Sequence, residues 1–144
     1  MQLVKDNLIP VRLFMSDNYE NLHRFFSNLG FSVERSERFG DFIIEGCSPY
    51  FCLKGVSDRL IESLEISSRS EQGNWFAMNV VMACSGEQDK LDQEVNLETD
   101  MKFVETHLDE LATMFDEENY QITKVRLMEF ARERAKKRWP RWFT

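Results

Sequence analysis

The sequence has no apolar run approaching the ~18 residues of a membrane-spanning helix, so neither a span nor a membrane partner is expected. The N-terminal MQLVKDNLIPVRLF lacks the apolar stretch and small-residue cleavage site of a signal peptide, and none is expected. Cysteine is scarce and odd in number: Cys47, Cys52 and Cys84. That count argues against a disulfide framework and fits a chain in the reducing cytoplasm. Histidine is scarcer still, with only His23 and His107. A structural zinc site takes four ligands at characteristic spacings, which three cysteines and two remote histidines do not offer. No complete catalytic or metal motif occurs, so no metal and no cofactor are expected, and the reading leans away from an enzyme.

What is present describes a globular chain. Its 144 residues are 42% hydrophobic, 30% charged and 12% aromatic, which fits one domain with a sizeable core. Collagen-like, coiled-coil and low-complexity classes are excluded. The net charge of −7 is unevenly spread. Residues 1–84 carry 8 basic against 11 acidic side chains, residues 85–118 carry 2 against 12, and residues 119–144 carry 8 against 2. A basic end after an acidic stretch is either an interaction tail or a segment that folds back on the acidic stretch of its own or a sister chain. Folding back is the preferred reading. The overall negative field repels nucleic acid at long range, so only the tail is suited to bind it.

Residues 8–15 alternate partly and predict a strand, with Val11, Leu13 and Met15 on one face and Pro10, Arg12 and Phe14 on the other. Ser16 or Asp17 then caps a helix that buries Leu22, Phe25, Phe26 and Leu29, and Gly30 stands at its left-handed end. Residues 31–39 predict a strand with Phe31, Val33 and Phe39 on one face. Gly40-Asp41 turns it into a hairpin with residues 41–45, and residues 46–49 turn into a third strand at 50–54. A helix is expected over 57–66 with Leu60, Ile61 and Leu64 inward, then a loop over 67–74. WFAMNVVMAC at 75–84 is the most apolar run and predicts a central strand. Residues 85–98 are expected to be a mobile loop. A helix from Thr99 or Asp100 buries Val104, Leu108, Leu111 and Phe115, a strand follows at 119–127, and a last helix runs from about Met128 to Arg138. Met128, Ala131, Ala135 and Trp139 share a face of that helix, and Pro140 ends it.

The stretch IPVRLFMSDNYENLHRFFSNLGFSVERSERFGDFIIEGCSPYFCLKG, with Phe25-Phe26 and Leu29-Gly30-Phe31, resembles the first module of the glyoxalase, bleomycin-resistance and dioxygenase superfamily, the vicinal oxygen chelate fold. The resemblance covers the N-terminal module and implies a β-α-β-β-β half-barrel. It also implies a metal held by a His or Glu on the first strand and a Glu on the last. Here those strands offer Arg12, Cys52 and Lys54, so the implied fold comes without its metal chemistry, as in members that only bind and sequester a ligand.

The expected architecture is therefore α+β, a curled antiparallel sheet. A first module spans 1–56, a helix and loop 57–74, a partial second βαβ unit 75–127, and a basic aromatic helix and tail 128–144. The two histidines and the cysteines read as packed side chains, with Cys47 the most exposed thiol. The carboxylates Glu34, Glu37, Asp41 and Glu45 read as a solvated hairpin. If the sheet curls, the face away from the first helix lines a cavity with Arg12, Phe14, Glu45, Tyr50 and Trp75, suited to a small anionic or aromatic ligand. The tail residues Arg134, Lys137, Arg138, Trp139, Arg141 and Trp142 suit a partner subunit first and nucleic acid second. The leading expectation is a non-enzymatic binding or sequestering protein, a homodimer because the sheet leaves an edge open. The alternative is an interaction or regulatory adaptor that works through its tail.

Overall fold

A computed structural model describes residues 18–94 and 96–143. The strand expected at 8–15 lies outside the described residues, and Arg12 and Phe14 with it. The architecture is α+β: one open five-stranded antiparallel sheet, helices around it and a long C-terminal helix.

Helix α1 (Tyr19–Leu29) buries Leu22, Phe25 and Phe26 and ends at Gly30, whose φ of 79° is left-handed. The Phe31 and Gly30 N–H groups donate to Phe26 and Ser27 carbonyls, the paired bonds of a Schellman stop. At its start the Glu62 carboxylate accepts from the Asn18 backbone (3.2 Å) and side chain (2.6 Å), a negative charge where the helix dipole favours one. The strands β1 (Ser32–Phe39), β2 (Asp41–Cys47), β3 (Phe51–Asp58), β4 (Ile61–Ser68) and β5 (Phe76–Ala77) follow in spatial order. The α1 side carries Phe42, Ile44, Leu53, Leu64 and Ile66, all buried. Gly46 and Gly55 make the seat for α1, because a Cβ there would stand 2.7 Å from the Phe26 ring and 2.5 Å from Leu22. On the other side one cross-strand row reads Arg35, Glu45, Lys54, Glu65, alternating in sign.

Several elements differ from the sequence reading. Strand β1 is exposed along its whole length, Phe39 included, and only Phe31 before it is buried. A bulge between Val33 and Arg35 breaks the alternation, as such irregularities do. The helix expected over 57–66 is the β3–β4 hairpin. Arg59 and Leu60 both take positive φ (53° and 72°), as a two-residue hairpin loop requires. The Asp41 carboxylate steadies that loop by accepting from the Arg59 N–H (3.1 Å) and the Ser57 hydroxyl (3.3 Å). Leu64 points inward, but Leu60 and Ile61 are exposed, because the true period is 2.

The apolar run 75–84 is a strand only at Phe76–Ala77. Met78–Cys84 is helix α2, with all seven residues buried. An apolar run without periodicity fits a buried helix as well as a buried strand. Residues 85–98 hold a 3-10 turn, Gln88–Asp92, anchored by buried Leu91, and the start of the next helix. Helix α3 (Leu97–Thr106) begins earlier than expected because Asn96 caps it, its side chain accepting from the Thr99 N–H at 2.9 Å. His107 separates it from α4 (Leu108–Phe115). Val104, Leu111 and Phe115 are buried as expected and Leu108 partly so.

The expected strand at 119–127 is helix, continuous with the rest of α5 (Tyr120–Arg138). Its inward face is Tyr120, Thr123 and Leu127, continued by partly buried Ala131 and Arg134, while Met128 and Trp139 are exposed. Pro140 ends it as expected, opening a 3-10 turn to Phe143. The cysteines are also corrected. Cys47 and Cys52 face each other across β2 and β3, form a disulfide and are buried, so Cys47 is no exposed thiol. Cys84 is free, and burial raises its thiol pKa.

Candidate functional site: a cleft at the short edge of the sheet

The site begins with a mismatch of lengths. β4 has eight residues but β5 pairs with it only at Glu65 and Ile66. Beyond β5 the edge of β4 is met by α3, where the Asp100 carboxyl lies beside the Leu64 backbone. Asp100 is almost fully buried, and removal from water lifts its pKa to about 7. A carboxyl in that range exchanges its proton at neutral pH and can donate or accept a hydrogen bond.

On the opposite wall Asn79, the single polar side chain within the buried helix α2, is fixed in orientation. Its amide nitrogen donates to the Leu91 carbonyl (3.2 Å) and the Gln93 carbonyl (3.5 Å), so its oxygen is turned to accept from the Arg134 guanidinium at 2.6 Å. Arg134 is partly buried, and desolvation, then the neighbouring Arg138 charge, lower its pKa, while Glu65 opposes the shift. These side chains enclose a cleft of about 160 Å³, lined among others by Glu65, Asn79, Thr99, Asp100, Arg134 and Arg138. At ~30 Å³ per water in the liquid, the space suits a molecule of a few heavy atoms. Two guanidiniums, the Asn79 and Gln93 amides, the Ser63 and Thr99 hydroxyls, the titratable Asp100 carboxyl and the carboxylates of Glu65 and Glu94 line it.

The sequence-derived ligand residues are distributed differently. Glu45 and Trp75 belong to one surface, away from α1. Glu45 pairs with Arg35 at 3.2 Å, and its register neighbour Lys54 lies 4.6 Å from the centre of the Trp75 ring and 3.3 Å from Glu65. Tyr50 is half exposed at the β2–β3 turn, beside Arg69 and the acidic run Asp116–Glu118 in an open groove. None of the three lines the cleft.

The tail residues divide. Arg134 and Arg138 reach the cleft, and Lys137 pairs with Asp92 at 3.1 Å. The basic end therefore folds back on the acidic stretch of its own chain. Trp139 and Trp142 stack with ring centres 5.8 Å apart and are 49% and 77% exposed, and Arg141 lies between them in sequence.

A second polar cluster fastens α5. The Glu71 carboxylate accepts from the Tyr120 hydroxyl (2.6 Å), Lys124 (2.8 Å) and Asn74 (2.9 Å). These bonds, Asn74's first, hold its pKa down to about 2. Both of its oxygens accept from these donors, so it serves as a latch. His107 sits with its ring nitrogen 3.0 Å from the Phe103 carbonyl and 3.9 Å from Glu87, the kind of partner expected of it, whereas His23 meets the Ser36 hydroxyl at 3.1 Å, neither a backbone group nor a carboxylate.

Sequence reasoning missed Asn79, Thr99 and Asp100. Asn79 carried a signal, as the lone polar residue in WFAMNVVMAC. Asp100 was legible only as an acid in a first helical turn. Among the described residues no helix is long and apolar enough to cross a membrane, and no three His, Cys, Asp or Glu gather to hold a metal ion. No protein-family model matches the chain, and neither a curated protein nor a solved structure is found similar to it.

Proposed function

We propose that the protein binds and sequesters a small anionic metabolite in the cleft at the sheet edge, without chemical turnover. One observation carries this reading: two arginines from the last turns of α5 converge on a cleft where the Asn79 amide, the Thr99 hydroxyl and the buried Asp100 carboxyl also meet, with Glu65 and Glu94 on its walls. A guanidinium that is partly stripped of water and held by a single neutral amide keeps donors for a carboxylate or phosphate. Asp100 would add discrimination, favouring a ligand with a hydroxyl or amine opposite its acid group.

The resemblance to the glyoxalase-type module stays part of the proposal. The order of α1, β1, β2 and β3 supports it; β4 continuing in the same sheet, and the helical second half, lie outside that module. The proposed cytoplasmic location has the Cys47–Cys52 bond against it, because disulfides persist in oxidising compartments.

Thermal melting in the presence of inorganic phosphate, acetate and glycolate tests the binding reading. At least one anion should raise the melting temperature in proportion to the logarithm of its concentration. Arg138→Gln, at the cleft mouth, should remove that rise without lowering the melting temperature of the anion-free protein. A flat response to all three anions would overturn the reading.

The second reading, an adaptor working through the tail, is favoured by the exposed stack of Trp139 on Trp142. Nucleic acid is its second choice of partner, and an oligonucleotide titration at two salt concentrations decides that choice.

A further inference from the structure

The cleft carries charge of both signs that does not close on itself. α5 brings Arg134 and Arg138, β4 brings Glu65, α3 brings Asp100, and Glu94 lies ahead of α3. Among the described residues neither arginine forms an ion pair with a carboxylate, and no cation pairs with Asp100. The hydrogen-bond partner of Arg134 is the neutral Asn79 amide, at 2.6 Å. Glu65 has a cation, Lys54 at 3.3 Å, on one of its two oxygens.

Asp100 is the sharpest case. It is 6% exposed, and an aspartate buried to that degree is ordinarily paired. Here the pairing charge is missing from the chain, and an ammonium group on a ligand would supply it. The sum of the walls points the same way. When Asp100 is ionised, two positive charges face three negative ones. A ligand with only an acid group would add to that excess, and a simple amine would meet two guanidiniums. A molecule with a carboxylate and an ammonium satisfies both sets of groups. At about 30 Å³ per water in the liquid, the 160 Å³ of the cleft suits a compact molecule of this kind.

We propose that the ligand of this cleft is a small zwitterion, an amino acid with its carboxylate on Arg134 and Arg138 and its ammonium on Asp100. This inference rests on the binding reading and narrows it: the acid-bearing ligand carries an ammonium as well. A dianion such as phosphate is disfavoured by the same three carboxylates.

Titration calorimetry of the full chain with glycine, acetate and methylammonium provides the test, because acetate is glycine without its ammonium and methylammonium is glycine without its carboxylate. Glycine should bind roughly tenfold or more tighter than either. In Asp100→Asn, glycine should fall to the level of acetate, while acetate binds at least as well as to the wild type, since one repelling charge is gone. A variant that had merely lost its fold would bind neither. Arg138→Gln should weaken glycine and acetate alike. Acetate matching glycine overturns this inference and leaves the binding reading standing, with Asp100 meeting the acid group as a protonated donor. An advantage of glycine that survives Asp100→Asn overturns the placement of the ammonium. Methylammonium matching glycine removes the arginines from the site and overturns both readings. No binding of any of the three overturns this inference, and the melting response to phosphate and glycolate then decides the broader reading separately.

Discussion

Helices α1 and α5 are fastened into the fold by different means, α1 on the sheet and α5 on α2 and the turns around it. α1 is held chiefly by apolar contact, with the Glu62 carboxylate on Asn18 at its start: Leu22 and Phe26 are wholly buried and rest on two glycines whose missing side chains shape the seat. α5 buries Tyr120, Thr123 and Leu127 near its start, but its position is specified by polar anchors. These are the Glu71 latch, the Arg126 bond to the Cys84 carbonyl (3.0 Å), the Arg134–Asn79 bond and the Lys137–Asp92 pair. Apolar burial is non-directional, indifferent to pH and not weakened by charge screening, whereas hydrogen-bonded ions fix a geometry and respond to both pH and ionic strength. A helix that must stay put suits the first kind of attachment. A helix that presents two arginines to a cleft needs the second.

The contrast can be broken first from the α1 side. Phe26→Ala should destabilise by about 3–5 kcal/mol, measured by urea unfolding, and the loss should be the same at pH 5 and pH 8. A pH-dependent loss would show that α1 is not held by packing alone.

Asp100→Asn should act in the opposite direction by a few kcal/mol. Its folded pKa is raised above the unfolded value, so the wild-type chain is penalised progressively from about pH 4 to about pH 7 and by a constant amount above that. The variant should melt higher than wild type at pH 8 and equally at pH 3.5. Equal melting at both would mean that the carboxyl is not desolvated.

Tyr120→Phe sharpens the comparison at the latch. It should cost about 1–2 kcal/mol at neutral pH, because a charged acceptor loses its one neutral donor from α5. The Glu71 pKa is depressed, so the contribution of the latch is present above the ordinary carboxylate range near 4.5 and is lost as pH falls through about 2. Acid unfolding followed between pH 5 and 2 should therefore show wild type and variant converging.

Lys137→Ala should have the smallest effect, less than about 0.5 kcal/mol and vanishing in high salt, since the Lys137–Asp92 pair is half exposed. A larger value would promote that pair to a principal anchor of α5.

The first half of the chain was legible because its signals are local. In α1 the apolar spacing and Gly30 state the helix and its end, and Gly40 states the first hairpin. The β3–β4 hairpin was hidden because Arg59 and Leu60 occupy positive φ where Asn-Gly would have announced the turn. The candidate site was hidden for another reason: Asn79, Asp100 and Arg134 are far apart in sequence, and none has a meaning until β4, α2, α3 and α5 are packed.

By itself the sequence determined an α+β chain, the buried stripe and stop of α1, the charge segregation and the end of α5 at Pro140. Each follows from composition, periodicity or the backbone limits of one residue. Tertiary structure alone decided that 78–84 and 120–127 are helix, that Cys47 meets Cys52, and that the basic end turns back to build a cleft. An apolar or mixed run buries equally well in either conformation. Which one prevails depends on partners elsewhere in the chain, and only the packed molecule brings them together.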